Sequence, residues 1–271
     1  MKKFAYLLSL FALLLVYGCT CEPVPGGQDA SAEDQNPSVD ELVAPVLSAD
    51  VESLTVDMCS EQLAMVFTWN NVATEKIFPT YELVLADVKD TQFENAVSYV
   101  CNNIRKPFSH AELDKIVRGM GYSLNEEVTL KAFVFVSANG YEPVVSNVVS
   151  IKLQVKVPSL YPIGSATPYG WDTRYSVPMK KNGDVFTCDL TLRANSDLKF
   201  IVYNTSWWPG IVNKSADPYT YQPMLHFTEL TGDLDRKFFV NKDGDYRITV
   251  NTSDINNITF TADLLPEASP W

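Results

Sequence analysis

The sequence predicts an all-β protein in which two β-sandwich domains follow one another after a disordered tether. Short runs rich in Val, Leu, Phe and Tyr recur between residues 63 and 262, and turn residues separate them, which is typical of antiparallel strands. No alternation of strands with helices accompanies these runs, and no glycine-rich phosphate-binding loop is present. The chain beyond residue 41 has room for two domains of about 115 residues each, or for one large all-β domain.

The first residues predict export. A positively charged start, Met1-Lys2-Lys3, precedes an apolar run that ends at Val16, and a small residue then precedes Cys19. These are the parts of a secretory signal peptide, and the apolar run is shorter than the roughly 20 residues of a membrane-spanning helix. The cysteine resembles that of a bacterial lipobox, although Tyr17 departs from its usual small or β-branched residue. We therefore expect residues 1–18 to be a lipoprotein signal peptide and Cys19 to carry lipid; an ordinary secretory signal is the alternative.

Residues 19–41 predict a flexible tether. They are rich in Pro, Gly, Ser, Asp and Glu and nearly free of large apolar side chains, so they cannot bury enough surface to fold. A lipid at Cys19 followed by this segment would hold the folded body away from a membrane. We expect the lipid to be the protein's only attachment to the membrane, and Glu22, close to the lipid, is compatible with surface export.

The net charge of the chain and its few cysteines and histidines argue against several functions. The formal net charge is −12, and phosphate binding needs a basic surface, so we expect no nucleic acid partner. The five cysteines form no C-x-x-C pair and there are two histidines, which argues against a zinc site or a Ser/His/Asp triad. We expect no metal and no cofactor. Cys59 and Cys101 could form a disulfide, or each could be a small buried apolar residue.

The first half of the folded body predicts strands with one helical interruption. The strands are expected at residues 63–69, 81–86, 128–137 and 144–157. The helix is expected over residues 109–122. Ser109 can cap it and Glu112 can complete a capping box, while Gly119 or Gly121 would end it. Its apolar side chains share one face: Leu113, Ile116 and Val117.

The second half predicts at least six short strands, at residues 159–165, 185–192, 198–203, 236–240, 245–250 and 257–262. Two turns between them, at residues 181–184 and 242–245, contain Asn-Gly or Asp-Gly. These dipeptides are strong hairpin signals, so both turns are expected to join paired strands. Strands at this spacing favour a β-sandwich.

Four stretches resemble one family of bacterial surface proteins. The first is APVLSADVESLTVD followed by MVFTWNNV, and the second is AELDKIVRGMGY followed by EEVTLKAFVFVS and VVSNVVSIKL. The third is LYPIGSATPYGWD, and the fourth is NKDGDYRITVNTSDINNITF. In this order they are similar to the SusE/SusF-like glycan-binding lipoproteins of Bacteroidetes polysaccharide utilisation systems. The similarity covers nearly all of residues 42–262.

The resemblance implies a fold, a location and partners. It implies an Ig-like spacer domain at residues 42–157 and a carbohydrate-binding domain at residues 158–271, with room for one such domain. It also implies a lipid-anchored protein of the outer membrane, exposed at the cell surface, that works with a TonB-dependent SusC/SusD-like transporter complex. SusE and SusF bind starch, but related members serve other oligosaccharides and polysaccharides, so the resemblance does not imply which sugar is bound.

The adjacent tryptophans Trp207 and Trp208 are the main candidates for a sugar platform. Neighbouring side chains on a strand point to opposite faces, so at least one indole is expected to face solvent. Sugar rings have apolar C–H faces that stack on aromatic rings, and their hydroxyls bind charged and amide groups. Trp171 is a candidate second wall, although it could instead plug the end of the sandwich.

Further candidate contacts come from the same stretch. They are Lys199, Tyr203, Asn204, Asn213, Lys214 and Asp217. Lys199 could alternatively be a solvated strand residue, and Tyr203 could pack in the core or a loop. Trp69, in a strand of the first half, is expected to lie in the core.

Two other functions compete with sugar binding. A glycoside hydrolase needs two carboxylates on either side of the scissile bond, but most Asp and Glu residues here fall in turns or in the tether. We therefore expect no enzymatic activity. The stronger alternative is a surface adhesin or assembly subunit, because tryptophan is also enriched where proteins bind one another.

Overall fold

The computed structural model describes residues 41–230 and 234–266 and confirms the all-β class. The predicted signal peptide, the lipidated Cys19 and the tether before Glu41 lie outside the described residues. The first ten strands are β1 (Leu47–Ala49), β2 (Ser53–Asp57), β3 (Leu63–Trp69), β4 (Thr80–Asp87), β5 (Val97–Cys101), β6 (Arg105–Ser109), β7 (Glu127–Ser137), β8 (Val144–Val145), β9 (Val149–Lys156) and β10 (Tyr161–Ile163). The others are β11 (Lys180–Asn182), β12 (Val185–Leu192), β13 (Lys199–Ile201), β14 (Gly210–Asn213), β15 (Pro223–His226), β16 (Gly244–Asn251) and β17 (Thr259–Leu264). The α-helix, α1, spans His110–Gly119, and a 3-10 turn spans Thr173–Tyr175.

The chain forms two compact units. Of the described residues, the first unit holds those up to Asp50 together with Val66–Lys106 and Thr129–Ile151. The second unit holds Val51–Met65, Pro107–Val128 and the residues from Lys152 onward. The domain boundary expected after residue 157 stays a prediction.

Strand β4 is central to the first unit. It pairs antiparallel with β7, from Thr80 opposite Ser137 to Asp87 opposite Leu130, and with β5 on its other edge. Leu83 and Phe133, from β4 and β7, are fully buried. In the same unit Trp69 is buried as expected, and its ring lies 5.9 Å from that of Tyr81.

The strand expected over residues 144–157 is two strands, β8 and β9, with a polar break between them. Ser146 donates its backbone N–H to the Val134 carbonyl at 3.0 Å, and its hydroxyl accepts the Val134 N–H at 2.9 Å. The Asn147 side chain binds the backbone N–H and the carbonyl of Leu47 at 2.7 and 2.9 Å. These side-chain bonds replace strand pairing at the break.

Helix α1 confirms the predicted cap. The Ser109 hydroxyl accepts the Glu112 N–H at 3.1 Å, and the Glu112 carboxylate accepts the Ser109 N–H at 2.8 Å. The three apolar residues predicted to share a face are all buried. Asp114 on the same helix is buried too, and its carboxylate binds the Arg118 guanidinium at 2.6 and 2.9 Å.

Strand β2 pairs in parallel with the second-unit part of β9, with Leu54 opposite Leu153. The expectation of antiparallel strands is therefore wrong for this pair. Parallel strands need a long connection between them. The roughly 90 residues between β2 and β9 provide it, including helix α1.

Two four-stranded antiparallel sheets make up most of the second unit, with strand orders β10-β13-β14-β15 and β11-β12-β16-β17. Phenylalanine rings join them: Phe200 on β13 lies 5.2 Å from Phe260 on β17, and both pack against Phe238 at 6.0 and 4.8 Å. All three rings are buried. This face-to-face packing is the sandwich that the sequence predicts for the second half.

One of the two predicted hairpins is confirmed. Strands β11 and β12 pair up to Asn182 opposite Val185, and Gly183 in the turn has φ 60°, which favours glycine. The hairpin expected at residues 242–245 is wrong, because residues 236–240 form no strand. Phe238 instead makes a single bridge to Leu198, with reciprocal backbone bonds of 2.8 and 2.9 Å.

The cysteines among the described residues are free and half-buried, so the expected alternative of a Cys59–Cys101 disulfide is wrong. Burial raises the pKa of Cys59 and of Cys188 to about 11, and Cys101 is shifted in the same direction. Such thiols stay protonated at neutral pH and behave as small apolar groups. Within the described residues, no helix is long and apolar enough to cross a membrane.

The capping box gives a first stability prediction. Ser109→Ala removes the oxygen that accepts the Glu112 N–H, so we expect the free energy of unfolding to fall by about 1 kcal/mol. Urea denaturation measures the change. Ser253→Ala, at an exposed serine outside any helix, is the control and should leave the unfolding midpoint in place. Equal stability of the two variants would contradict the role of the cap.

Candidate functional site

An open groove of about 760 Å³ lies on the second unit, and we call it the indole groove. It brings together three tryptophans, two lysines and three acidic residues. Its lining residues are Trp171, Asp197, Lys199, Thr205, Ser206, Trp207, Trp208, Glu229, Leu230, Asp235 and Lys237. Its volume falls within the range of small-molecule binding sites.

The loop between β13 and β14 carries the tryptophan pair. The Ser206 hydroxyl donates to the Trp208 carbonyl at 2.6 Å, and the Val202 N–H donates to the Pro209 carbonyl at 3.0 Å. The loop ends at Gly210, where a Cβ atom would lie only 2.9 Å from the Phe200 carbonyl oxygen. A residue without a side chain therefore lets the loop return close to β13.

Two indoles form an exposed platform in the groove. Trp171 is 39% exposed and Trp207 is 43% exposed. Their ring centroids lie 6.1 Å apart and their planes are inclined by 53°. Trp208 is half-buried, and its ring meets the edge of His226 at 6.0 Å. Adjacent tryptophans are thus divided between a solvent-facing and a packed position, as the sequence predicts.

A buried cation lies beneath the indoles. Lys199 is 2% exposed, and its Nζ lies 4.1 Å from the Trp208 ring centroid and 5.9 Å from that of Trp207. Its partner is the carboxylate of Asp235, at 3.5 Å. Burial lowers the pKa of Lys199, and the charge of Asp235 opposes that shift. The alternative of a solvated strand lysine is therefore wrong.

A second lysine completes the charge cluster. Lys237 Nζ lies 2.7 Å from the carboxylate of Asp235 and 5.7 Å from the Trp171 ring centroid. A single carboxylate thus binds two ammonium groups, and each of the three indoles lies near one of them. Contacts between a cation and an aromatic face are worth about 0.5–2 kcal/mol. We call Lys199, Asp235 and Lys237 the charge cluster.

Asp197 is held at the groove by the backbone on either side of it. Its N–H donates to the Ser165 hydroxyl at 3.0 Å, and its carbonyl accepts the Ala166 N–H at 2.9 Å. Gly164 has φ 131°, and a Cβ atom there would lie 2.1 Å from the Asp197 carbonyl oxygen. Within the described residues, no donor binds the carboxylates of Asp197 and Glu229, so both are open to a ligand.

The groove unites four of the predicted contact residues and leaves five outside it. Trp171, Lys199, Trp207 and Trp208 line it. The others are Tyr203, Asn204, Asn213, Lys214 and Asp217. Trp171 is half-exposed at the groove rather than a plug of the sandwich interior.

Hydrogen bonds of the protein itself engage most of the five. Asn213 is 1% exposed, and its side-chain oxygen accepts the N–H groups of Ser215 and Gln222 at 3.2 and 3.1 Å. The Tyr203 hydroxyl donates to the Met58 carbonyl at 2.6 Å. The Asp217 carboxylate accepts the Thr220 hydroxyl at 2.7 Å.

Of the remaining two, Lys214 is exposed, and its carbonyl accepts the Arg236 guanidinium at 2.8 Å. Asn204 is half-buried and does not line the groove.

Sequence reasoning missed the acidic side of the groove and one lysine: Asp197, Glu229, Asp235 and Lys237. Asp235 and Lys237 shortly precede Phe238, the residue that bridges back to Leu198, and this bridge brings them beside β13. Residues 236–240 were expected to form a strand, so nothing in the sequence indicated that this segment reaches the groove. The described residues contain no group of His, Cys, Asp and Glu that could hold a metal ion.

Comparison with known families gives one match. Residues 31–134 match the family model of the SusE outer membrane protein. The match confirms the resemblance to SusE-like proteins for this part of the chain, and the family's description agrees with the expected outer-membrane location. No curated protein matches the sequence.

The charge cluster gives a second prediction. Asp235→Asn leaves two ammonium groups beneath the indoles without their shared anion, so we expect the free energy of unfolding to fall by about 1–3 kcal/mol. Chemical denaturation measures it. The matched control is Asp189→Asn, which breaks the exposed Asp189–Arg247 pair and should leave the unfolding midpoint nearly unchanged, because exposed ion pairs contribute little to stability. An Asp235→Asn protein as stable as the control would show that the cluster is not a structural support.

Proposed function

We propose that this protein binds an oligosaccharide or polysaccharide non-catalytically at the indole groove. The observation that carries the proposal is the exposed pair Trp171 and Trp207. Their rings are inclined to each other and lie above the charge cluster. Two inclined aromatic faces fit the bent surface of a glycan chain, because each can take the C–H face of a different sugar ring.

A sugar site also needs groups that bind hydroxyls, and several polar side chains lie around the indoles. The carboxylates of Asp197 and Glu229 can accept hydrogen bonds from sugar hydroxyls, and bonds to charged acceptors are stronger than those to neutral ones. Lys237 is half-buried at the groove and can donate to a ring or hydroxyl oxygen. Asp235 is bound to both lysines, so it orders these donors rather than acting on a sugar itself.

Binding of this kind needs neither a nucleophile nor an acid/base pair. The carboxylate with the most defined surroundings, Asp235, is bound to two ammonium groups, and this suits a positioning role. The proposed role is therefore capture and retention of glycan rather than its cleavage.

The proposal extends to the protein's setting in the cell. A lipid on Cys19 and the tether that follows would place the groove at the outer surface of the outer membrane. There the protein would deliver glycan to a SusC/SusD-like, TonB-dependent transporter complex. The match to the SusE family supports this setting. Co-purification of the full-length protein with such a transporter from outer membranes tests it, and recovery of the protein alone under mild extraction would count against it.

The exposed indoles also fit the alternative of an adhesin or assembly subunit, in which they would contact a protein. A soluble glycan distinguishes the two. Sugar that stacks on Trp171 or Trp207 should change the indole fluorescence and slow the protein in native gels that contain the polysaccharide. An array of plant, host and microbial polysaccharides, probed with protein lacking residues 1–40, identifies the sugar class. Absence of any response across the array would overturn the proposal.

Trp207→Ala is the main mutational prediction. The side chain is 43% exposed, so its loss should leave the unfolding midpoint nearly unchanged. It should reduce glycan retention by up to about tenfold, because an aromatic stacking contact contributes about 0.5–1.5 kcal/mol. Affinity electrophoresis measures retention.

Phe78→Ala is the matched control, because Phe78 is 78% exposed, belongs to the first unit and does not line the groove. It should retain glycan like the unmodified protein. Trp208→Ala should also weaken retention, with a larger loss of stability because that ring packs on Lys199. Full retention by both tryptophan variants would show that the platform is wrongly assigned.

A further inference from the structure

A second groove of about 550 Å³ opens beside the indole groove in the same compact unit, and we call it the turn groove. Its lining residues are Cys59, Ser60, Glu61, Gln62, Tyr203, Thr205, Ser206, Trp208 and Pro209. Three of these residues, Thr205, Ser206 and Trp208, line both grooves. The two grooves therefore adjoin along these three residues.

The far wall of the turn groove comes from a turn in the part of the sequence that resembles the spacer domain. This turn, residues 57–62, is fixed to helix α1 at three points. The Cys59 N–H donates to the Asp114 carboxylate at 3.1 Å, the Ala111 N–H to the Ser60 carbonyl at 2.7 Å, and the His110 N–H to the Gln62 carbonyl at 3.0 Å. The wall is therefore ordered before any ligand arrives, which lowers the entropic cost of binding.

The near wall is tied to the same turn. The Tyr203 hydroxyl donates to the Met58 carbonyl at 2.6 Å, across 145 residues of sequence. Burial raises the pKa of Tyr203 well above its usual value, and the nearby carboxylate of Asp57 adds to the shift. The phenol therefore stays a hydrogen-bond donor at neutral pH and keeps the two walls together.

The open surface of the turn groove has the chemistry of a sugar subsite. The half-buried Trp208 supplies apolar surface, and the exposed side chains of Glu61 and Gln62 supply a charged acceptor and an amide. Neither side chain makes a hydrogen bond within the described residues. An amide both donates and accepts, and a carboxylate accepts, which matches the hydroxyl pattern of a sugar ring.

We infer that the turn groove is a second subsite for the same glycan chain, so that the Cys59–Gln62 turn takes part in binding and the site prefers longer oligosaccharides. This inference rests on the proposed function at the indole groove. It assigns a ligand-binding role to a part of the chain that the family resemblance implies to be a spacer. Binding across both grooves would be stronger than at either alone, because the second contact is made within one bound chain.

The test compares short and long oligosaccharides prepared from a polysaccharide that the protein retains. Isothermal titration of the full folded body, residues 41–271, with each length gives the affinities. The double variant Glu61→Ala, Gln62→Ala should bind long oligosaccharides about tenfold more weakly, since two polar contacts are lost. It should bind the shortest oligosaccharides that fill the indole groove with unchanged affinity.

The matched control is Gln92→Ala, Glu94→Ala, which removes the same two side-chain types from an exposed position in the first unit. It should bind both lengths normally. Equal affinity of the unmodified protein for both lengths, or no effect of the Glu61/Gln62 variant on long chains, would overturn the second subsite and leave the proposed function intact. Absence of binding to every glycan tested would instead remove the proposed function, and the inference would fall with it.

Discussion

The packing of Phe200 against Phe238 and Phe260 is the constraint on which the rest of the second unit depends. Side chains alternate along a strand, so an inward Phe200 forces its neighbour Lys199 to the outer face of β13. That face is not solvated, because the Trp208 loop covers it. A buried ammonium group is costly unless it is paired, and the carboxylate of Asp235 supplies the pair. The phenylalanine core, the Trp208 loop and the charge cluster therefore depend on one another.

Much of the fold could be predicted from residue patterns. Strands with strong Val, Leu and Phe runs, such as β3, β4, β7 and β12, lie within a residue of their expected bounds, and the cap of α1 follows from Ser109 and Glu112. Strand β11, Lys180–Asn182, is short and polar and carries no apolar signal, so its pairing with β12 is indicated only by the turn between them. The run at residues 236–240 has a strand-like composition, but its backbone is used for one bridge to Leu198.

The candidate site could be predicted only where its residues lie close in sequence. Trp207 and Trp208 stand out because adjacent indoles cannot share one core, and the groove does contain both. Asp235 and Lys237 could not be found in this way, because they reach the groove through tertiary pairing. Asn213 illustrates the opposite error: its amide suits a sugar, but the fold uses it to order its own loop. Local sequence indicates which polar groups are available. It does not show which of them are already hydrogen-bonded within the folded protein.

Gly164 has a consequence for how such a site can change over generations. Its missing side chain lets the chain pass against the Asp197 carbonyl, so any replacement would push apart two segments of the binding surface. Residues at the rim, such as Glu229, carry no such restriction. Side chains at the rim can therefore be exchanged while Gly164 stays fixed, so the chemistry of the groove can change without any change in the backbone that holds it.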